Sequence, residues 1–113
     1  MKRVTLRTSD GTLLGEDIHI ADNPWRRFIG LMATQDLSLG SGLIFPRTNA
    51  VHGFFMRYPI RLVYLDRKKI VVRVAVLTPW HLGPWVPKAF YVVELPMAVP
   101  GEYLKLGAEW RWS

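Results

Sequence analysis

The chain has no cysteine among its 113 residues. Disulfides, zinc–thiolate sites and cysteine nucleophiles are therefore excluded, and the compartment cannot be read from redox usage. No apolar run approaches the ~18 residues of a membrane helix. The opening residues MKRVTLR carry positive charge with no apolar core after them, so no secretory signal is expected. A cytoplasmic protein without a membrane partner is the default expectation.

Several chemical signatures are missing as well. His19, His52 and His81 are far apart, with no His-x-His or His-Glu-x-x-His spacing, so no metal is expected. Glu16 and Asp17 are adjacent and would face opposite ways on a strand, which is not a paired acid and base. Ser9, Ser38, Ser41 and Ser113 stand in turns or at the end of the chain, none in a nucleophile-elbow context. Gly40-Ser41-Gly42 lacks the helix and lysine of a phosphate loop. No cofactor is expected on these grounds.

What is present is apolar bulk and positive charge. Half of the residues are hydrophobic, and a chain of this size should bury roughly 60–70% of its unfolded surface. One domain over residues 1–113 is expected. Fifteen Lys and Arg against nine Asp and Glu give a net charge of +6, which attracts polyanions non-specifically. These charges are dispersed, and the one run, Arg67-Lys68-Lys69, falls where a hairpin turn is expected. A solvated turn is the preferred reading of that run over a functional basic patch.

The patterning is mostly that of strands. Val4-Thr5-Leu6 alternates, Asp10-Gly11 is a hairpin signal, and Leu14, Ile18 and Ile20 share a parity, so residues 2–8 and 12–20 read as an opening hairpin. Asn23-Pro24 reads as an N-cap and first helical residue, with Trp25, Phe28, Ile29 and Met32 at helical spacing and a stop near Gly30. Short strands follow at 43–45, 60–66, 69–76 and 89–95. Residues 52–57 are extended. In the stretch 69–76, Ile70, Val72, Val74 and Val76 are expected on one buried face with Arg73 out. Pro79, Pro84 and Pro87 stiffen a loop that carries Trp80 and Trp85. A helical turn within 100–106 and a closing strand at 109–112 complete the chain. The fold class expected is mainly β (α+β): a partly closed barrel or sandwich of seven or eight strands with one or two short helices.

Arg27-Phe28-Ile29-Gly30-Leu31-Met32, Gly42-Leu43-Ile44-Phe45, Phe55-Met56, Leu65-Asp66 and Val93-Glu94-Leu95-Pro96, in that order, resemble the motifs of the bacterial and archaeal family called domain of unknown function 192. Arg27, Gly30, Leu31 and Met32 match its Arg-x-x-Gly-Leu-Met helix, and Gly42, Ile44 and Phe45 its Gly-x-x-Phe strand. Phe55, Met56, Leu65 and Asp66 fit the middle block, and Val93-Glu94-Leu95-Pro96 the last. The resemblance covers roughly residues 21–110 and implies a compact, barrel-like β fold; it implies no activity, substrate or cofactor. Three places depart from the pattern. Arg61 stands where a related subgroup has Asp, and Gly107-Ala108 stands for the closing Gly-Asp. The central hairpin has Lys68-Lys69 in place of glycine, so a tight primed turn is not expected there.

Six residues form the candidate site. Arg27, on the expected helix, must reach an acceptor or water, since an unpaired buried charge is too costly. Either it locks the helix to a strand through Glu94 or Asp66, or it offers a guanidinium fork to a carboxylate or phosphate. His52 opens a strand beside large apolar groups and is a structural hydrogen-bonder or a general base. If the Pro-rich loop folds over the His52 end, then Trp80 and His81 join His52, Met56 and Arg57 in one cleft. The five tryptophans are otherwise expected as core plugs.

The leading expectation is a non-enzymatic binding or accessory module with a cleft near Arg27, His52 and Arg57 for an anionic small molecule or peptide. A hydrolase or transferase using His52 as base is the first alternative. A weak single-stranded nucleic-acid binder is the second, and nucleic acid is the less favoured partner. The oligomeric state is not legible.

Overall fold

The computed structural model describes residues 2–21, 38–53 and 57–113. Seven strands form one sheet: β1 Lys2–Thr8, β2 Leu13–Ile20, β3 Ser41–Pro46, β4 Ile60–Leu65, β5 Val71–Leu77, β6 Tyr91–Pro96 and β7 Trp110–Trp112. Their order across the sheet is β5-β4-β6-β3-β2-β1-β7. All neighbours are antiparallel except β2 and β3, which run parallel. Gly101–Tyr103 forms a single 3-10 turn within the stretch where a helical turn is expected. The helix expected from Asn23 lies outside the described residues.

The sheet curls toward closure. Ile70, just before β5, bridges Glu109, just before β7. The Val71 N–H donates to Ala108 O at 2.8 Å, and the Trp110 N–H donates to Lys69 O at 2.9 Å. The two edge strands therefore meet at one corner, and the sheet forms a half-barrel. This partial closure hides edges that a chain so rich in Val, Ile and Trp would otherwise expose.

Both faces of the central strands are buried. Val63 and Leu65 of β4 point into the concave core with Leu6, Ile18, Ile44, Val93, Leu95 and Trp110. Ile60, Leu62 and Tyr64 point to the other face with Leu43, Phe45, Leu77 and Val92. A strand covered on both sides reads as a continuous apolar run, as Ile60–Leu65 does apart from Arg61. The Arg61 Nε–H donates to Met97 O at 3.3 Å.

One expectation is corrected. Ile70, Val72, Val74 and Val76 do not share a buried face. Leu65 pairs with Val71, but Tyr64 pairs with Arg73, so a bulge absorbs Val72 and inverts the side-chain parity. Val71 and Val74 enter the concave core, Leu77 lies on the opposite face with Ala75 packed against it, and Val76 is exposed.

The two hairpin turns share one geometry. In the first, the Gly11 N–H donates to Thr8 O and the Thr8 N–H to Thr12 O, both at 2.9 Å. In the second, the Lys69 N–H donates to Asp66 O and the Asp66 N–H to Ile70 O, both at 3.0 Å. Each needs a left-handed residue in its last position. Gly11 takes φ 96° without steric penalty, while Lys69 takes φ 65° in the same role. Lys69 is held there in part by its ammonium, which lies 4.0 Å from the centre of the Trp112 ring.

Candidate functional site

The second face of the sheet is roofed by an irregular two-segment ribbon. Residues 78–90 must travel from the Leu77 end of the sheet to the Tyr91 end, because β5 and β6 both flank β4 in antiparallel register. Residues 47–53 run beside them in the opposite sense. The Val86 N–H donates to Asn49 O at 3.0 Å, the Gly83 N–H to Val51 O at 2.8 Å and the Gly53 N–H to His81 O at 2.8 Å. The Trp80 N–H donates back to Gly53 O at 2.8 Å, and His52 bridges Leu82. Three prolines keep residues 78–90 out of a regular ladder, so the ribbon is a series of single bonds rather than two more strands.

Tyr64 fastens this roof to the sheet. Its ring is fully buried, and its hydroxyl donates to Pro84 O at 2.7 Å. Burial pushes the hydroxyl's pKa up to about 12; the Arg73 guanidinium opposes this and the Glu94 carboxyl adds to it. Glu94 lies on the same face of β6 as Val92 and is the buried charged side chain among the described residues.

The geometry of the ribbon decides which expected site residues meet. His52, Trp80 and His81 stand together at the Leu77 end, where a Cβ on Gly53 would lie 2.6 Å from Thr78 O. His52, Trp80 and His81 are all exposed, as is Arg57, which lies just before β4. The His81 Nδ1 is 2.8 Å from Pro79 O, which fixes its ring. Trp80 takes φ 66°, in the left-handed region. Arg27 and Met56 lie outside the described residues. Asp66, one of the two carboxylates considered for Arg27, has Oδ1 occupied by the N–H groups of Lys68 at 2.8 Å and Ile70 at 3.0 Å.

The tryptophans divide between roles. Trp110 is a core plug, and Trp112 packs against the same core. Trp80 and Trp85 are not core plugs: they are 60% and 70% exposed on the ribbon. Among the described residues no group of three or more His, Asp or Glu is placed to hold a metal. No helix among them is long and apolar enough to cross a membrane.

At the other end of the ribbon lies a second cleft, of about 920 Å³, lined by Arg47, Arg67, Lys68 and Lys88. Sequence reading assigned none of these to a site. They are separated in the chain and converge only because β3, β4 and β6 share that end of the sheet.

Comparison with known proteins gives a consistent placement. Residues 5–107 match the model of the DUF192 family, described as an uncharacterized ACR. A UPF0127 protein of Pyrococcus furiosus is 38% identical over 102 residues, covering 83% of this chain and 84% of the relative. The crystal structure of a protein of unknown function from Novosphingobium aromaticivorans superposes with a TM-score of 0.77 at 18% identity, over 97% of this chain and 84% of that one. That of a proposed transcription regulator from Sinorhizobium meliloti superposes with a TM-score of 0.73 at 17% identity, over 97% and 92%. Likeness at these identities establishes the fold.

Proposed function

Since the chain belongs to the DUF192 family, we propose that it is a non-enzymatic binding module that takes an anionic small molecule or the carboxylate of a peptide at the His52 end of the ribbon. One observation carries this reading. At that end, residues 50–59 and 78–86 contain Arg57, His52 and His81, and no Asp or Glu. All nine carboxylates of the chain lie elsewhere. Segments with guanidinium and imidazole donors and no carboxylate of their own favour an anion, and Arg57 offers a planar fork for a carboxylate. The exposed Trp80 ring adds apolar surface at the same end.

The openness of this end favours recognition over catalysis. A general base gains from a closed, water-excluded site, whereas His52 is exposed on a rim. The experiment is an amide NMR titration with citrate and with a short peptide bearing a free C-terminal carboxylate. The expected result is saturable shifts at Gly53, Arg57, Trp80 and His81. Arg57→Gln should weaken binding by about tenfold, the value of one charge-assisted hydrogen bond. Shifts that are absent, or that survive Arg57→Gln undiminished, contradict the reading.

A further inference from the structure

We infer that the cleft at the opposite end of the ribbon is a second anion site, specific for a compact ligand carrying two or more linked phosphate groups. Four cations from separate parts of the chain line it: Arg47 after β3, Arg67 and Lys68 in the β4–β5 turn, and Lys88 before β6. Asp66 is the one carboxylate in the lining, and its Oδ1 is engaged by two backbone N–H groups of its own turn. The ion pairs found among the described residues, His19–Asp17 and Arg111–Glu109, involve none of the four. The cleft therefore sets four cations against one carboxylate, with none of the four in an ion pair among the described residues. Like charges held together repel, and a bound polyanion relieves that repulsion.

Arg47 supplies an independent observation. It takes φ 53°, in the left-handed region that glycine occupies without penalty. Folding alone would be served better by glycine there. The arginine instead sets a guanidinium at the mouth of the cleft, next to Thr48, whose N–H is tied to Phe90 O at 3.0 Å.

The nature of the ligand follows from what the cleft offers and withholds. It offers guanidinium forks and ammonium groups, which match phosphate oxygens. It withholds a free stacking surface. Its aromatic ring, Phe90, has the Arg67 guanidinium over it at 4.5 Å and Tyr91 edge-on at 4.8 Å. Single-stranded nucleic acid draws much of its affinity from bases stacked on open aromatic faces, and Phe90 is the one aromatic residue in the lining. A peptide strand would need an open sheet edge, whereas β5 and β7 are joined to each other near this end. A short phosphate chain needs neither.

The test is a calorimetric and amide NMR titration of the full chain with sodium tripolyphosphate, compared with an oligothymidylate and with a short poly-glutamate peptide. The expected result is saturable binding of tripolyphosphate, with shifts at residues 47–49, 67–68 and 88–90. The double variant Lys68→Gln/Lys88→Gln should lower affinity by about tenfold or more. Lys105→Gln, an exposed lysine outside the cleft, should leave it unchanged. Arg47→Gly gives a variant whose folding is not in question: it should melt at or above the parent temperature yet bind more weakly. Tighter binding of the oligothymidylate or the poly-glutamate peptide would overturn the assignment. So would tripolyphosphate binding that these variants leave intact, or no binding at all.

Discussion

At the scale of single residues, the fold depends on a few close approaches. Gly53 sits where a Cβ would lie 2.6 Å from Thr78 O, a backbone atom that cannot swing aside. Gly53→Ala should therefore destabilise by about 1–3 kcal/mol, the usual range for overpacking. Gly101→Ala, where a Cβ meets nothing within 4 Å, should stay within about 0.5 kcal/mol of the parent. Urea melts of the two variants make the comparison. Tyr64 gives a pH prediction. Its hydroxyl stays protonated in the folded state up to about pH 12, while an unfolded tyrosine ionises near pH 10. Between those values the unfolded state binds fewer protons, so stability falls as pH rises from about 10 to about 12. Absorbance at the tyrosinate band should show one of the four tyrosines titrating late, and Tyr64→Phe should remove that late step.

At the scale of elements, the strands were largely legible and their faces less so. The opening hairpin, the strand after Gly42, the central hairpin and the closing strand all lie close to where alternation and turn chemistry put them. Asp10-Gly11 and Asp66 mark their turns by mechanism, through a left-handed residue and an Asp side chain that binds backbone N–H groups. The parity of β5 was not legible, because a bulge at Val72 leaves no mark in a run of β-branched residues. Closure through β7 can be tested on Trp110, which is buried in the concave core and whose Nε1–H has no hydrogen-bond partner among the described residues. Trp110→Ala should cost about 3–5 kcal/mol. Trp110→Phe keeps most of the ring volume and removes a buried donor whose desolvation costs about 1–3 kcal/mol, so it should cost much less. Equal losses in denaturant unfolding would contradict this placement of the indole.

At the scale of the whole molecule, the half-barrel serves as a frame for its roof. The ribbon of residues 47–53 and 78–90 joins two ends that differ in character: His52, Arg57, Trp80 and His81 at one, and four cations around an open cleft at the other. The first grouping was foreseeable in part, since histidine, tryptophan and proline mark both segments. The second was not, because Arg47, Arg67, Lys68 and Lys88 are scattered in sequence and only the strand order gathers them. A charge run read alone looks like a solvated turn, and its partners appear only when strand ends are superimposed. Both proposed sites depend on the ribbon's being hydrogen-bonded as described. Amide hydrogen exchange measures that directly at Gly53, Trp80, Gly83 and Val86, whose N–H groups cross between the two segments. These four amides should exchange far more slowly than those of an unstructured chain. Exchange of all four at unprotected rates, with the strands of the sheet still protected, would show that the roof does not form and would remove both sites.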